Sequence, residues 1–279
     1  MRPVAALAQP PSASIVIEIS SRQNPLVKQI RKLHDAKGRH RENQCLLEGT
    51  HLLEVACEVN YPLLNVCATP QWIAQNLSLW QRISTQAKKC QVLSQLVLEA
   101  IATTVNPDGI VATAPRPTLD PQQMPKTGIA LALETIQDPG NLGTIIRTAA
   151  AANAAGLWLS ADSVDLDHPK VLRSSAGQWF RLPIAVSADL VTQVKHCQNQ
   201  GWQIVATNAH ASFTYWELDY CQPTLILLGN EGNGLSPELS ALADKTVTIP
   251  LSGGVESLNV AIAAALILYE AQRQKVSKS

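Results

Sequence analysis

Between Gly128 and Leu251 the chain carries six short apolar runs, GIALALETI, GLWLS, RLPIAV, WQIVATN, TLILLG and TVTIPL, with helical patterning between them. Runs that are apolar at nearly every position leave no face for water, so they read as strands buried on both sides. Strands that alternate with helices pair in parallel, and the helices then cover both faces of the sheet. This half of the chain is therefore an α/β unit. In such sheets ligands meet the loops that follow the carboxyl ends of the strands, so function is sought in those loops.

The region before it has a different character. Asn24-Pro25 starts a helix whose Leu26, Ile30 and Leu33 fall at i, i+4 and i+7. Lys28, Arg31, Lys32, Lys37, Arg39 and Arg41 surround that apolar face, and residues 21–41 hold seven Lys/Arg against one acid, Asp35. QCLLEG (44–49), LLNVCA (63–68), CQVLS (90–94) and GIVATA (109–114) read as strands, and HLLEVACEV as a helix. Together these give a small α/β domain over 21–114. The next stretch, PRPTLDPQQMPKTG, has four prolines and no apolar periodicity, so 115–127 reads as a semi-rigid linker to a second domain at 128–279. The Ala/Pro-rich residues 1–20 read as a flexible leader.

Net charge is zero over 279 residues, but residues 1–127 carry 13 basic and 9 acidic side chains and residues 128–279 carry 9 and 13. An overall polycation is excluded, and a basic module suited to anions is joined to a mildly acidic one. The six cysteines show no C-x-x-C pair and no Cys/His ligand spacing, which reads as reduced thiols with no metal. The first residues lack the apolar core of a signal peptide, and the apolar tract Val260 to Tyr269 is too short for a bilayer that needs about 20 residues. A soluble, cytoplasmic protein without a membrane partner is expected.

Three loops carry chemistry-bearing residues. In ETIQDPGNLGTIIRTAAAANAAG the strand ends near Ile136 and a helix begins about Leu142, with Arg147 among Ile145, Ile146 and alanines. A guanidinium there either snorkels to the surface or faces an anion. In LILLGNEGNGLSPELS, Gly229, Gly232 and Gly234 follow a buried strand. This is neither a Walker A loop nor G-x-G-x-x-G, and Glu231 within the turn would repel a phosphate. In IPLSGGVESLNVAIAAALILYEA, Ser257, Leu258 and Asn259 head a helix of small and apolar residues. Helix capping would account for Ser257 but less well for Asn259.

In order and spacing these loops resemble the three motifs of the SpoU-type (TrmH-like) RNA ribose 2′-O-methyltransferases of the SPOUT superfamily. The matches are N-x-G-x-x-x-R-T at Asn141–Thr148, G-x-E-x-x-G at Gly229–Gly234 and P-L-x-G-x-x-E-S-L-N-V at Pro250–Val260. NPLVKQIRKLH and the following LLEG are similar to the substrate-binding domain of the rRNA-modifying branch. The resemblance implies a parallel sheet whose carboxyl end is tied in a trefoil knot around S-adenosylmethionine. It implies backbone contacts to that cofactor near Thr207, Leu228, Gly229, Ile249, Leu251 and Leu258. Arg147 would act at the 2′-hydroxyl, with Asn141, Glu231, Ser257 and Asn259 positioning it, the ribose and the cofactor. Free Arg is a poor base because its pKa exceeds about 12, which leaves a strongly perturbed Arg147 or one that orients the adjacent phosphate; the second is favoured. The basic residues Lys28, Arg31, Lys32, Lys37, Arg39 and Arg41 would grip RNA phosphates. The RNA would be rRNA, otherwise tRNA, and the protein a homodimer through the knotted domain. The rival readings are an inactive RNA-binding protein on the same scaffold, which the intact motif residues oppose, and a Rossmann-type nucleotide enzyme, whose glycine fingerprint is missing.

Overall fold

The computed structural model describes residues 18–117, 119, 123–209 and 211–278, the side chain of 278 excepted. The leader expected over 1–20 lies almost wholly outside these residues. Where its end is described it is tied down: Ile19 N–H donates to Val92 O, and Ile19 O accepts from Ser94 N.

The first half begins with α1 (Pro25–Arg31) and α2 (Ala36–Glu42), followed by β1 (Gln44–Glu48), α3 (Thr50–Glu58) and β2 (Leu63–Ala68). Then come α4 (Pro70–Gln75), α5 (Leu77–Gln86), β3 (Ala87–Val92), α6 (Gln95–Ile101) and β4 (Ile110–Pro115). Asn24 caps α1 by accepting from Leu26 N, as the Asn-Pro pair predicts. The four strands form a mixed sheet in the order β1-β4-β2-β3. Alternation sends Leu46, Cys67 and Val111 toward α1 and α6, whereas Cys45, Leu47, Val66 and Ala112 pack with α3 to α5.

The second half contains β5 (Ile129–Leu133), α7 (Pro139–Ala151), β6 (Gly156–Ser160), α8 (Pro169–Ser174), β7 (Ile184–Ser187) and α9 (Leu190–Asn199). It continues with β8 (Gln203–Thr207), β9 (Phe213–Thr214), β10 (Thr224–Leu228), α10 (Pro237–Ser240), β11 (Lys245–Thr248) and α11 (Val260–Lys278). All six expected strands are present, joined by the short β9, in the order β7-β6-β5-β10-β8-β11-β9. Every pairing is parallel. Ile129, Leu131 and Leu133 face α7, α8 and α11, while Ala130 and Ala132 face α9 and α10. The expected α/β class is thus observed, with both faces covered.

The two halves share one apolar core. The Tyr61 ring of the first meets Trp179 edge-on and Phe180 at a tilt in the second, with centroids 5.7 and 4.9 Å apart. Gly177 sits so close to Val55 that a Cβ there would stand 2.6 Å from Val55 Cγ2. An ionic cluster reinforces the contact. Arg39 is 1% exposed and reaches Asp165 at 2.7 Å and Asp167, also 1% exposed, at 3.3 Å. Arg116 pairs with Asp167, and His40 Nε2 lies 2.9 Å from Asp165.

This corrects one expectation. Arg39 does not face RNA: its guanidinium is enclosed by Asp165, Asp167 and the carbonyls of Leu33 and His34. Sequence could not tell it from its neighbours, because its carboxylate partners lie more than 120 positions away. Lys28, Arg31, Lys32, Lys37 and Arg41 remain exposed, with Lys32 3.8 Å and Arg41 3.2 Å from Glu42. The linker is tied as well, by Arg116 and by the buried Met124.

Removing one partner of a buried ion pair strands the other charge, so Arg39→Ala should lower the unfolding free energy by about 3–5 kcal/mol. Burial pushes the Asp165 carboxyl up, but hydrogen bonds from His40 and Arg39 outweigh it and hold the group below its usual value. A depressed folded value means the contribution is present above the unfolded pKa of about 3.9 and is lost as pH falls through the folded one. Urea unfolding should therefore show the full difference at neutral pH, and the difference should shrink as pH falls and the carboxylates left without Arg39 take up protons. Equal stability of variant and wild type would remove the cluster from the account.

Candidate functional site

The loops after β5, β10 and β11 converge at the carboxyl edge of the parallel sheet. The first is shaped by Asp138, which caps α7 by accepting from the N–H groups of Gly140 (2.5 Å) and Asn141 (3.0 Å). The helix starts at Pro139, three residues earlier than expected, because Asp-Pro is an N-cap followed by a first-turn proline. The Asp138-Pro139 pair carries that signal in the sequence itself. Gly143 lets α7 meet α8: a Cβ there would stand 1.9 Å from Ser174 Oγ.

In the second loop Gly229 runs against its own continuation. A Cβ on it would lie 2.1 Å from Gly234 C and 2.2 Å from Leu235 N, so the turn closes only with glycine. Asn230 organises the turn through its side chain, accepting from Gly232 N and Asn233 N and donating to Thr135 O of the first loop. Glu134 accepts from Ser236 N at 2.7 Å, a second link between the same loops. Neither Asn230 nor Glu134 was singled out by the sequence pattern, since ordinary turn chemistry needs no particular residue there.

The third loop turns through Gly253 (φ +68°) and Gly254 (φ +75°) and enters α11. Asn259 is the cap, with its Oδ1 accepting from Ala261 N. Ser257 makes no hydrogen bond among the described residues and is exposed.

Three side chains join these loops. Asn259 Nδ2 donates to Asn141 Oδ1 at 2.9 Å, and Asn141 Nδ2 donates to Glu231 Oε1 at 2.9 Å. Glu231 also receives the N–H groups of Gln137 and Asp138 at 3.4 and 3.5 Å. Burial pushes its carboxyl up, but the donations from Asn141 and the backbone outweigh this and hold it below the ordinary carboxylate value. It is ionised at neutral pH, and among the described residues no group of three or more His, Cys, Asp or Glu side chains with the geometry for a metal ion is found. The geometry thus brings together Asn141, Glu231 and Asn259, one from each motif.

Arg147 stands apart from this junction. It lies on the exposed side of α7, opposite Leu142, Ile145, Ile146 and Ala149, and makes no ion pair among the described residues. Its guanidinium is accordingly free to meet an external anion. Thr207 Oγ1 donates to Leu227 O, tying β8 to β10 at the sheet edge. Leu228 is buried, Gly229, Ile249 and Leu251 are half-buried, and Leu258 is exposed.

Residues 128–269 match the SpoU rRNA Methylase family, and residues 24–112 match the MRM3-like substrate binding domain. A Synechocystis sp. protein named as an uncharacterized tRNA/rRNA methyltransferase is 46% identical over 269 residues, 96% of this chain and 98% of that one. The Bacillus subtilis 23S rRNA (guanosine(2553)-2′-O)-methyltransferase RlmP is 31% identical over 90% of this chain and 98% of its own. Among solved structures, the AdoMet-bound rRNA methyltransferase from Sinorhizobium meliloti superposes with TM-score 0.82 at 30% identity, covering 92% of this chain and 97% of that one.

The junction makes a stability prediction. Asn141→Ala removes both interloop bonds and leaves a carboxylate short of one donor, which should cost about 1–3 kcal/mol. Gly229→Ala should cost more and broaden the thermal transition, since backbone rather than a flexible side chain must move. Calorimetric unfolding that finds Gly229→Ala as stable as wild type would contradict the turn described here.

Proposed function

The chain belongs to the SpoU rRNA methylase family, and we propose that it transfers a methyl group from S-adenosylmethionine to a ribose 2′-hydroxyl of rRNA. The observation that carries the reading is the hydrogen-bonded junction of Asn141, Glu231 and Asn259. It joins three distant motifs at the edge where a parallel sheet presents its ligands. The name of the Bacillus subtilis relative supports rRNA over tRNA. An inactive RNA-binding scaffold is opposed by the intact set Asn141, Arg147, Glu231, Ser257 and Asn259.

The residues present suit the cofactor. Between Ile249 and Leu258 the described backbone makes one backbone hydrogen bond, Val255 N to Ser252 O. N–H and C=O groups there are available for a purine edge, and Leu251 and Leu258 for its faces. Glu231 disfavours phosphate, and S-adenosylmethionine has none. Thr207, Leu228, Gly229, Ile249, Leu251 and Leu258 are assigned to hold it, and the family's trefoil crossing to the chain between β8 and α11. When bound, the cofactor supplies an electrophilic methyl on a sulfonium.

The chain's own part is to prepare the nucleophile. A ribose hydroxyl attacks poorly until its proton is drawn off. Arg147 is assigned the task of orienting the neighbouring phosphate, through a planar fork that matches it, so that the phosphate assists in taking the proton. Asn141 and Glu231 fix the start of α7, and hence where Arg147 stands. Asn259 ties in the third loop, and the exposed Ser257 is assigned to the ribose and the cofactor.

We divide the chain by task, with 21–114 gripping RNA through Lys28, Arg31, Lys32, Lys37 and Arg41 and 128–279 carrying the transfer, in the cytoplasm. We also infer a homodimer. Ile262, Leu266 and Tyr269 form an exposed apolar row on α11. Tyr215, Ala265, Leu266, Tyr269 and Glu270 line a groove of about 370 Å³ there. The alanine-rich end of α7 packs through Ala149 into the chain's own core with α11.

Single-turnover methylation with titration calorimetry tests the reading. Arg147→Ala should abolish transfer yet leave S-adenosylmethionine affinity within a few-fold, and Arg147→Lys should largely fail, because a point ammonium cannot replace the fork. Asn259→Ala should lose cofactor binding as well. Substantial transfer by Arg147→Ala would put the chemistry on another residue.

Charge reversal at Lys28 and Arg31 should weaken RNA binding and reduce the log–log salt slope by roughly 0.7–0.9 per contact, with cofactor affinity unchanged. An unaltered slope would make the basic helix a solvated face. Sedimentation of the wild type should give a dimer at micromolar concentration, and Tyr269→Glu should shift it to monomer.

A further inference from the structure

Six cationic or titratable side chains, Arg39, Arg116, Arg147, His168, Lys170 and Arg173, lie on or near the packed pair α7 and α8. Most are already engaged. Arg39 and Arg116 are taken by Asp165 and Asp167. Arg173 Nη1 lies 3.1 Å from the buried Glu48 and donates to Thr103. His168 is held below its ordinary value, first by burial and then by the charges of Arg39 and Arg173, and its Nδ1 accepts from Lys170 N. It therefore brings no charge at neutral pH.

Lys170 is different. Its Nζ stands 3.7 Å from Asp138 Oδ2, and both side chains are more than half exposed. Exposed pairs of this kind bind weakly. Asp138 does not depend on it, because Gly140 N and Asn141 N already donate to that carboxylate. The Lys170 side chain lies across Gly140, with Cε 3.4 Å from where a Cβ on that glycine would stand. Gly140 and Arg147 are seven residues apart on α7, so they share one face and lie about 10 Å apart along the axis. Two loosely held cations thus stand along one side of α7, Lys170 of α8 beside its first turn and Arg147 about two turns on, past the contact of Gly143 with α8.

We propose that Lys170 binds an RNA backbone phosphate beside the target nucleotide while Arg147 faces the target ribose. The inference rests on the reading of the protein as an RNA methyltransferase acting through Arg147. Lys170 exchanges its weak contact with Asp138 for a phosphate, and the strand is then held at two points along α7. A nucleotide held at two points cannot pivot about the reacting ribose, which favours attack geometry.

The test uses the full-length protein with an unmodified 23S rRNA transcript from the same organism. Lys170→Ala, Lys170→Glu and Lys170→Arg are compared with Lys195→Ala, a control that removes an equal charge from the exposed side of α9. Lys170→Ala should reduce the salt slope of RNA binding by roughly 0.7–0.9. It should lower kcat/KM on the order of tenfold through lost orientation, and Lys170→Glu should lower it further. Lys170→Arg should keep most of the activity. S-adenosylmethionine affinity by calorimetry should stay within about twofold in all three, since the cofactor groups lie on other loops. Slope and kcat/KM equal to those of Lys195→Ala would overturn the inference. Loss of thermal stability or cofactor affinity with an unchanged salt slope would also overturn it, because Lys170 would then only support the Asp138 cap. If the wild type neither binds S-adenosylmethionine nor methylates the transcript, the underlying reading fails instead.

Discussion

The Asn141 side chain is the joint on which this site depends. Its amide does two opposite things at once, donating to Glu231 and accepting from Asn259. A carboxylate in its place could not donate, and an apolar residue could do neither. The polarity of the chain is set at one end by Glu231, which is ionised and therefore acceptor-only, and at the other by the α11 N–H group that engages Asn259 Oδ1. Both amides are thereby fixed in one orientation. Hydrogen bonds to a charged acceptor are stronger than neutral ones, so Glu231 anchors one end of the joint and Asn141 carries it on to Asn259.

The fold supplies what the joint needs. Parallel strands deliver all three loops to one edge, and two glycines allow the approaches: Gly143 brings α7 onto α8, and Gly229 folds the second loop on itself. The first half is then fixed to the second by a shared core and by the charges of Arg39, Arg116, Asp165 and Asp167. The exposed cations of α1 and α2 consequently stand at a set distance from Arg147. That fixed span suits a structured RNA, whose phosphates also keep set distances.

Much of this was legible in the sequence. Six of the seven second-half strands were readable, β5, β6, β8 and β10 because burial on both faces leaves continuous apolar runs, and the Asn-Pro start of α1 because capping is local chemistry. Glu231 and Asn259 were legible as unusual polar groups near glycine turns, and Asn141 only through the motif it opens. Their mutual contacts were not, since Asn141 and Asn259 are 118 positions apart. The fate of Arg39 was hidden for the same reason: six cations in a row look alike until a distant pair of aspartates selects one. α7 begins at Pro139, before the apolar pattern that starts at Leu142, because Asp138 caps the Pro-Gly pair that follows it.

The account comes down to a chemical mark on RNA. Ribose 2′-O-methyl groups should be mapped across the rRNA of cells that contain the protein, cells that lack it, and cells in which only Arg147→Ala is restored. One rRNA position should lose its methyl group without the protein, regain it with the wild type and stay unmodified with the variant. Identical maps in all three, from cells in which the protein is present and folded, would contradict the assignment of this site to rRNA methylation.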